Sequence, residues 1–191
     1  MPGIARCIMT DRFYDLTVAG VHRRLPILNV SDNVAIAGFV VLGDVELTNA
    51  CARELAKIVP ASAEIILTAE TKGIPLAAEL ARQLGMKRYA VARKSIKAYM
   101  KNPICTEDQS ITTKGKQLLC LPDSDIALVK GRKVLLLDDV ISTGGSLKAL
   151  ERLVGKAGGT IVAKAAVLAE GDAAKRTDIL FLETLPLFEA Q

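Results

Sequence analysis

Short apolar runs alternate with amphipathic segments along most of the chain. The runs are rich in Val, Ile, Leu and Ala and show no polar alternation, which indicates strands that are buried on both faces. We predict such strands at residues 63–69, 88–93, 116–121, 133–139, 160–169 and 178–185. Between them, Leu residues recur at spacings of three and four, which predicts helices at 44–60, from Pro75 to Gly85 and from Ser146 to Gly158.

This alternation of strands and helices predicts an α/β fold, with a mainly parallel sheet flanked by helices on both faces. The first 40 residues fit no strand–helix unit. We therefore predict a small N-terminal flap at residues 1–40 and a core domain at residues 41–191. His22 lies in the flap segment, and we expect it to be a surface residue rather than a catalyst.

Composition narrows the class of protein. The 191 residues are half hydrophobic, enough for a real core, and the net charge of +4 permits an anionic small ligand. That charge is too small for a typical nucleic-acid binder, and no apolar run has the length of a signal peptide or a membrane span. Four cysteines stand without metal-like spacing. We expect them to be reduced, in a soluble cytoplasmic protein without a nucleic-acid or membrane partner.

The candidate chemistry lies in "KVLLLDDVISTGGSL" at residues 133–147. Here a buried strand ends in Asp138 and Asp139, and ligands of parallel sheets bind at the carboxyl ends of strands. A loop of hydroxyls and glycines then opens a helix, whose N–H groups and partial positive charge suit a phosphate. The loop residues are Ser142, Thr143, Gly144, Gly145 and Ser146. A simple turn with a Ser or Thr cap is the alternative, but it leaves two acids unexplained.

Two other phosphate-binding folds lack their defining loops in this chain. A P-loop ATPase needs GxxxxGK[ST], and a dinucleotide-binding fold needs GxGxxG after a strand; neither occurs. Independently, residues 87–101 carry six Lys and Arg side chains and no acid. Beside a phosphate site we expect Arg93 and Lys94, at a strand end, to contact an anion.

The whole motif resembles the 5-phosphoribosyl-1-diphosphate (PRPP) binding motif of type I phosphoribosyltransferases. The stretches "AETKGIPLA" (69–77) and "VARKSIKAYM" (91–100) are similar to the diphosphate loop and the start of the active-site loop in the purine branch of that family. The resemblance covers roughly residues 36–185. It implies the type I phosphoribosyltransferase fold with a flap, or hood. It also implies a mobile active-site loop at residues 94–116, which closes over the substrates and excludes water.

The resemblance also implies a role for each matching residue. Asp138 and Asp139 face the ribose hydroxyls as catalytic residues and hold Mg²⁺ indirectly, while residues 142–146 hold the 5′-phosphate. The implied diphosphate-binding residues are Glu70, Thr71, Lys72, Gly73, Arg93 and Lys94, in a loop that often carries a cis peptide. The implied base-binding residues are Phe39, Val41, Leu42 and Val140. Mg²⁺ is the implied cofactor, PRPP and a purine base are the substrates, and a homodimer is the implied assembly.

The resemblance points to transfer of ribose 5-phosphate to adenine, with a 6-oxopurine base as the runner-up. Two departures weigh against adenine: Thr112 or Thr113 stands where adenine enzymes carry a loop glutamate, and Gly43-Asp44 replaces an Arg-Asp pair. Glu107 and Asp108 are the nearest alternative carboxylates for the proton of the base. A PRPP-binding regulator without catalysis remains a second class of function, although the roughly 35 residues before the core are too few for a winged helix. A catalytically weak purine or PRPP sensor that acts on a protein partner is the third.

Overall fold

The computed structural model describes residues 12–108 and 117–191. The predicted strands and helices appear in it at the expected places. The strands are β1 (Phe13–Val18), β2 (Val21–Asn29), β3 (Val34–Ala37), β4 (Ile65–Ala69), β5 (Ala90–Ala92), β6 (Ile104–Asp108), β7 (Gln117–Leu121), β8 (Lys133–Ile141), β9 (Thr160–Glu170), β10 (Leu180–Leu185) and β11 (Leu187–Glu189). The helices are α1 (Val45–Ile58), α2 (Gly73–Gln83), α3 (Asp123–Val129) and α4 (Gly145–Ala157).

Five strands form the central sheet, in the order β10-β9-β8-β4-β5. Every neighbouring pair in it is parallel, as the apolar runs predicted. Leu67 of β4 pairs with Leu136 of β8, for example, so the two most buried strands lie side by side. Helix α2 begins two residues before Pro75. Proline is tolerated there because the first turn of a helix needs no N–H from it.

Each face of the central sheet has its own hydrophobic core. Helices α1 and α2 cover one face with residues that include Leu47, Leu55, Leu76 and Leu80. Helix α4 covers the other face with Leu147, Leu150, Leu153 and Val154, joined by Val129 of α3. The predicted sheet with helices on both faces is therefore confirmed.

The N-terminal strands form a second, antiparallel sheet in the order β1-β2-β3-β11. This sheet is the flap, and its buried side chains, such as Leu16 and Leu25, join the core cluster that lies under α1 and α2. Its last strand comes from the C-terminus, in a segment assigned to the core domain from the sequence. The boundary at residue 40 stays a prediction. His22 lies exposed on β2.

The prediction of reduced cysteines is wrong for two residues. Cys105 and Cys120 are opposite partners in the antiparallel pair β6–β7, with Cα atoms 4.1 Å apart, and their sulfur atoms form a disulfide. Residues 104–108 were expected to be loop because they read as polar and lack strand alternation. Without that strand, nothing in the sequence placed the two cysteines opposite each other. Cys51 is free and buried in the core.

Within the described residues, no helix is both long enough and apolar enough to cross a membrane.

Candidate active site

The candidate site lies where the chain reverses its direction of travel across the central sheet. From β4 the chain moves outward to β5 on one side, whereas from β8 it moves outward to β9 and β10 on the other. The helices that follow β4 and β8 therefore diverge, and they leave a crevice beyond the carboxyl ends of these two adjacent strands. Open α/β sheets bind their ligands in such a crevice. The predicted acidic strand end and the predicted diphosphate loop meet there.

Asp138 and Asp139 are the last polar residues of β8, and Lys72 reaches them from the loop after β4. The Lys72 ammonium donates to Oδ2 of Asp139 over 2.5 Å, and the Asp139 side chain is only 4% exposed while that of Lys72 is 43% exposed. Oδ1 of Asp138 accepts the backbone N–H of Asp139 at 2.9 Å. A buried carboxylate is thus paired with a cation that remains accessible to a ligand.

Burial raises the pKa of Asp138 well above its ordinary value, and the negative charge of Asp139 raises it further. The backbone N–H of Asp139 and the charge of Lys72 oppose this shift only in part. Without a ligand, the ionised form of Asp138 is therefore disfavoured. A positive charge that develops beside Asp138 would relieve this cost.

The loop at residues 142–144 connects β8 to α4 and leaves the start of the helix without a side-chain cap. The N-cap residue is Gly144, in the left-handed region at φ +78°, and Gly145 is the first helical residue. Neither Ser142 nor Thr143 is used as the cap, so the simple-turn alternative does not describe this loop. Uncapped N–H groups at a helix N-terminus favour an anion.

The loop after β4 carries the remaining predicted anion-binding residues. It contains a cis peptide bond between Glu70 and Thr71. Gly73 follows, and a Cβ atom there would collide with the hydroxyl of Thr68, so only glycine lets the loop lie this close to β4. Thr71 is exposed, and Lys72 is half-buried.

Glu70 organises the two basic residues at the end of β5. Its Oε2 accepts the backbone N–H of Lys94 at 2.9 Å and lies 3.2 Å from Nε of Arg93. These contacts, the Lys94 N–H first, lower the pKa of Glu70. Nη1 of Arg93 also donates to the hydroxyl of Tyr99 at 2.7 Å, whereas the side chain of Lys94 is exposed. Glu70, which is itself an anion, thus holds Arg93 and the backbone of Lys94 in place.

Comparison with known proteins identifies the family. Residues 46–187 match the family model of the phosphoribosyl transferase domain. The chain belongs to the phosphoribosyltransferase family.

Similar members of this family include adenine phosphoribosyltransferases. The chain is 35% identical over 157 residues to that of Rhodococcus jostii, which covers 82% of this chain and 73% of the relative. It is 39% identical over 114 residues to that of Rhodococcus opacus, which covers 60% of this chain and 61% of the relative. The crystal structure of adenine phosphoribosyltransferase from Thermoanaerobacter pseudethanolicus matches with a TM-score of 0.63 at 24% identity, over 75% of this chain and 84% of that one. This last likeness concerns the fold.

The predicted base-binding residues of this phosphoribosyltransferase lie at the junction of flap and core. Phe39 and Val41 are 5% and 0% exposed and pack in the core below the flap, whereas Leu42 is 43% exposed. Val140 is partly buried against the same cluster. Two of the four predicted base-binding side chains, Phe39 and Val41, are therefore closed to solvent, whereas Leu42 is exposed.

Two residues in this phosphoribosyltransferase site were missed from the sequence. Glu170 is the last residue of β9, beside β8, and is 8% exposed. It accepts a hydrogen bond from the hydroxyl of Ser142. Burial raises the pKa of Glu170, while the hydrogen bond from Ser142 and the charge of Lys72 lower it in part. Arg23 of the flap binds both carboxylate oxygens of Asp44, at 2.7 and 3.0 Å, and also Glu46.

A signal for one of these residues was present. Glu170 directly follows an apolar run, as Asp138 does, and this shared pattern could have marked it as a candidate. Arg23 has no such signal, because its partner Asp44 lies across the flap–core junction. Thr112 and Thr113, expected in place of the loop glutamate, lie outside the described residues.

Proposed function

We propose that this phosphoribosyltransferase transfers ribose 5-phosphate from PRPP to adenine in purine salvage, with AMP and diphosphate as products. The bond from C1′ of the ribose to diphosphate breaks, a bond from C1′ to N9 of adenine forms, and the N9 proton leaves. The observation that carries the proposal is the crevice between β4 and β8. Two carboxylates, an accessible lysine and an uncapped helix N-terminus face one another there.

The acids have the central role in this proposal. As the bond to diphosphate breaks, the ribose gains oxocarbenium character, and nearby carboxylates stabilise positive charge in the transition state. Asp138, whose ionised form is disfavoured without a ligand, gains most from that cation. Asp139 is held in place by Lys72. The ribose hydroxyls would donate to both carboxylates and fix the sugar in the crevice.

The two ends of PRPP would bind on either side of the acids. The loop Ser142–Ser146 would hold the 5′-phosphate through backbone N–H groups and hydroxyls, with the helix dipole of α4 behind it. The diphosphate would bind to the loop Glu70–Gly73, where Lys72, Arg93 and Lys94 offset its charge. Because the two loops follow neighbouring parallel strands, one extended ligand can contact both.

The residues present fit a magnesium ion that is bound mainly by the substrate. Mg²⁺ takes oxygen ligands, retains several waters and is usually held through one or two carboxylates plus substrate phosphates. Asp138 and Asp139 supply such oxygens, whereas the described residues contain no group of three metal-ligating side chains. These two acids would hold Mg²⁺ through water or ribose. When bound, it would neutralise the charge of the diphosphate.

The choice of adenine is supported by the names of five relatives, adenine phosphoribosyltransferases that are 34–39% identical over about a hundred residues or more. The flap backbone between Phe39 and Leu42 would read the 6-position of the purine, and the Arg23–Asp44 pair would hold the flap on the core. Glu107, Asp108, water or the diphosphate would accept the N9 proton. A 6-oxopurine base is the second candidate.

We propose in addition a homodimer and a cytoplasmic location. PRPP and AMP are strongly anionic and do not cross membranes unaided, so an enzyme that uses both would work where they are made.

The test is formation of AMP from PRPP, Mg²⁺ and adenine, followed by chromatography. The same assay with hypoxanthine, guanine and xanthine separates the second candidate from the first. We expect the highest kcat/KM with adenine. A higher value with a 6-oxopurine would replace the base but keep the reaction. Tight binding of PRPP with no nucleotide formed from any base would favour the regulator.

A further inference from the structure

Arg176 lies against the phosphate loop, although it follows the next strand of the sheet. A 3₁₀ turn at Gly171–Lys175 connects β9 to the segment that carries Arg176. A Cβ atom built on Gly144 would come within 2.6 Å of Nη1 of Arg176. The φ of +78° favours glycine at position 144, and the guanidinium of Arg176 lies close to its Cα atom.

A network of ion pairs fixes the orientation of the guanidinium. Nε and Nη2 of Arg176 donate to the two carboxylate oxygens of Asp178, at 2.9 and 2.8 Å. Lys164 of β9 bridges Asp178 and Glu151 of α4, at 2.9 and 2.6 Å. The side chains of Lys164 and Arg176 are only 22% and 29% exposed, so the network is partly shielded from water. Asp178 therefore holds one edge of the guanidinium and turns the other towards Gly144.

Nη1 remains as a charged donor at the loop. Within the described part of the chain, no acceptor bonds to Nη1 of Arg176, whereas Nε and Nη2 are both used. Guanidinium groups suit phosphate oxygens, because their planar fork of N–H groups matches phosphate as well as carboxylate geometry. The carboxylate of Glu170, which is hydrogen-bonded to Ser142 of the same loop, would repel a phosphate. The positive charge of Arg176 would offset that repulsion.

We infer that Arg176 is a further binding residue for the 5′-phosphate and directs Nη1 to the phosphate group held by the loop Ser142–Ser146. This inference rests on the proposed function, because it assigns a ligand to the loop that the proposed reaction uses. It places a charged residue from the β9–β10 connection in the phosphate site, in addition to the backbone and hydroxyl donors of the loop. The alternative is a purely structural role for Arg176 as the partner of Asp178.

The experiment is calorimetric titration of the full chain with ribose 5-phosphate and, separately, with diphosphate and Mg²⁺. The variants are Arg176→Gln, Arg176→Lys and the control Lys175→Gln, which removes a neighbouring charge whose partner is the exposed Asp172. A charge-assisted hydrogen bond predicts that Arg176→Gln weakens ribose 5-phosphate about tenfold or more. Diphosphate binding should stay within about twofold of wild type, and Arg176→Lys should restore part of the lost affinity.

Each outcome decides for or against the inference. Wild-type affinity for ribose 5-phosphate in Arg176→Gln overturns it. An equal loss for both ligands also overturns it, because that pattern follows from general damage to the fold, which a fall in Tm would reveal. If Lys175→Gln weakens ribose 5-phosphate as much as Arg176→Gln does, the effect is one of net charge and the inference fails. If the wild type binds neither ligand, the proposed function itself fails.

Discussion

At the scale of the residue, Asp138 lies where its own charge is disfavoured. Burial and the neighbouring Asp139 raise its pKa in the folded protein above the value in the unfolded chain. Between these two pKa values the folded state binds more protons than the unfolded state, so this group lowers stability as the pH rises. The unfavourable contribution is complete above the folded pKa and disappears as the pH falls towards the unfolded pKa. The residue that we propose as catalytic thus lowers the stability of the ligand-free protein.

Asp138→Asn should therefore make the ligand-free protein more stable. The variant keeps an oxygen that accepts the N–H of Asp139 and removes a partly buried charge. We expect its Tm to exceed that of the wild type by roughly 2–4 °C at pH 8, the change that about 1 kcal/mol produces in a chain of this size. The difference should shrink as the pH falls. Thermal unfolding of both proteins from pH 4 to pH 8 measures it, and a difference that grows towards acid would contradict this account of Asp138.

Lys72 is the residue that tests which loop binds the diphosphate end of PRPP and which binds the 5′-phosphate end. It is bound to Asp139 but remains accessible, and we place it on the diphosphate. Lys72→Ala should weaken diphosphate about tenfold or more and ribose 5-phosphate much less, since charged hydrogen bonds are among the strongest. Titration with each ligand provides the measurement, with exposed Lys87→Ala as the control. Equal weakening of the two ligands would show that the loop after β4 is misassigned.

At the scale of the element, the pair β6–β7 was the main omission from the sequence. Residues 104–108 are too polar to be recognised as a strand, and their partner strand begins only at residue 117. The pair continues into the site, because Arg93 exchanges two backbone hydrogen bonds with Cys120, both at 2.8 Å. A disulfide between Cys105 and Cys120 therefore fixes the strand on which Arg93 depends.

Reduction of this disulfide should loosen β6 and β7 without unfolding the core. The bond closes a loop with a sequence separation of 15 residues, for which chain entropy gives about 3 kcal/mol. Hydrogen exchange, followed by mass spectrometry with and without reductant, should show up to about a hundredfold faster exchange in residues 104–107 and 118–121. Residues 160–170 of β9 serve as the internal control. Unchanged exchange in the hairpin would contradict a stabilising role for the bond.

The elements that were predicted well are those whose signals are local. The strand β8 and the helix α4 follow from apolar runs and from Gly158 after the helix, although β8 continues past the two acids to Ile141. The sequence predicted a flap but not its sheet, because the fourth strand of that sheet, Leu187–Glu189, comes from the other end of the chain. Glu170 and Arg176 reach the site through the order of strands, and a single sequence does not encode that order as a pattern.

At the scale of the whole molecule, flap, sheet and connections converge on one crevice. The flap shares the hydrophobic core under α1 and α2 and is tied to the start of α1 by the pairing of Arg23 with Asp44. The switch between β4 and β8 sets the place of the acids, Glu170 at the end of β9 contacts Ser142, and Arg176 of the β9–β10 connection lies against Gly144. The family is that of the phosphoribosyltransferases, and the fold is shared with a solved structure of that family. Its central claim is that the two acids of β8 stabilise the transition state of transfer from PRPP.

The most direct test is kcat/KM for diphosphate release from PRPP with adenine and Mg²⁺, in the wild type and in Asp138→Asn/Asp139→Asn. The control is Asp172→Asn/Glu183→Gln, which removes two acids at exposed positions and changes the net charge by the same amount. We predict a fall of at least about a hundredfold in the β8 variant, as expected when charge stabilisation of a transition state is removed, and less than about twofold in the control. A folded β8 variant with nearly normal kcat/KM would contradict the account.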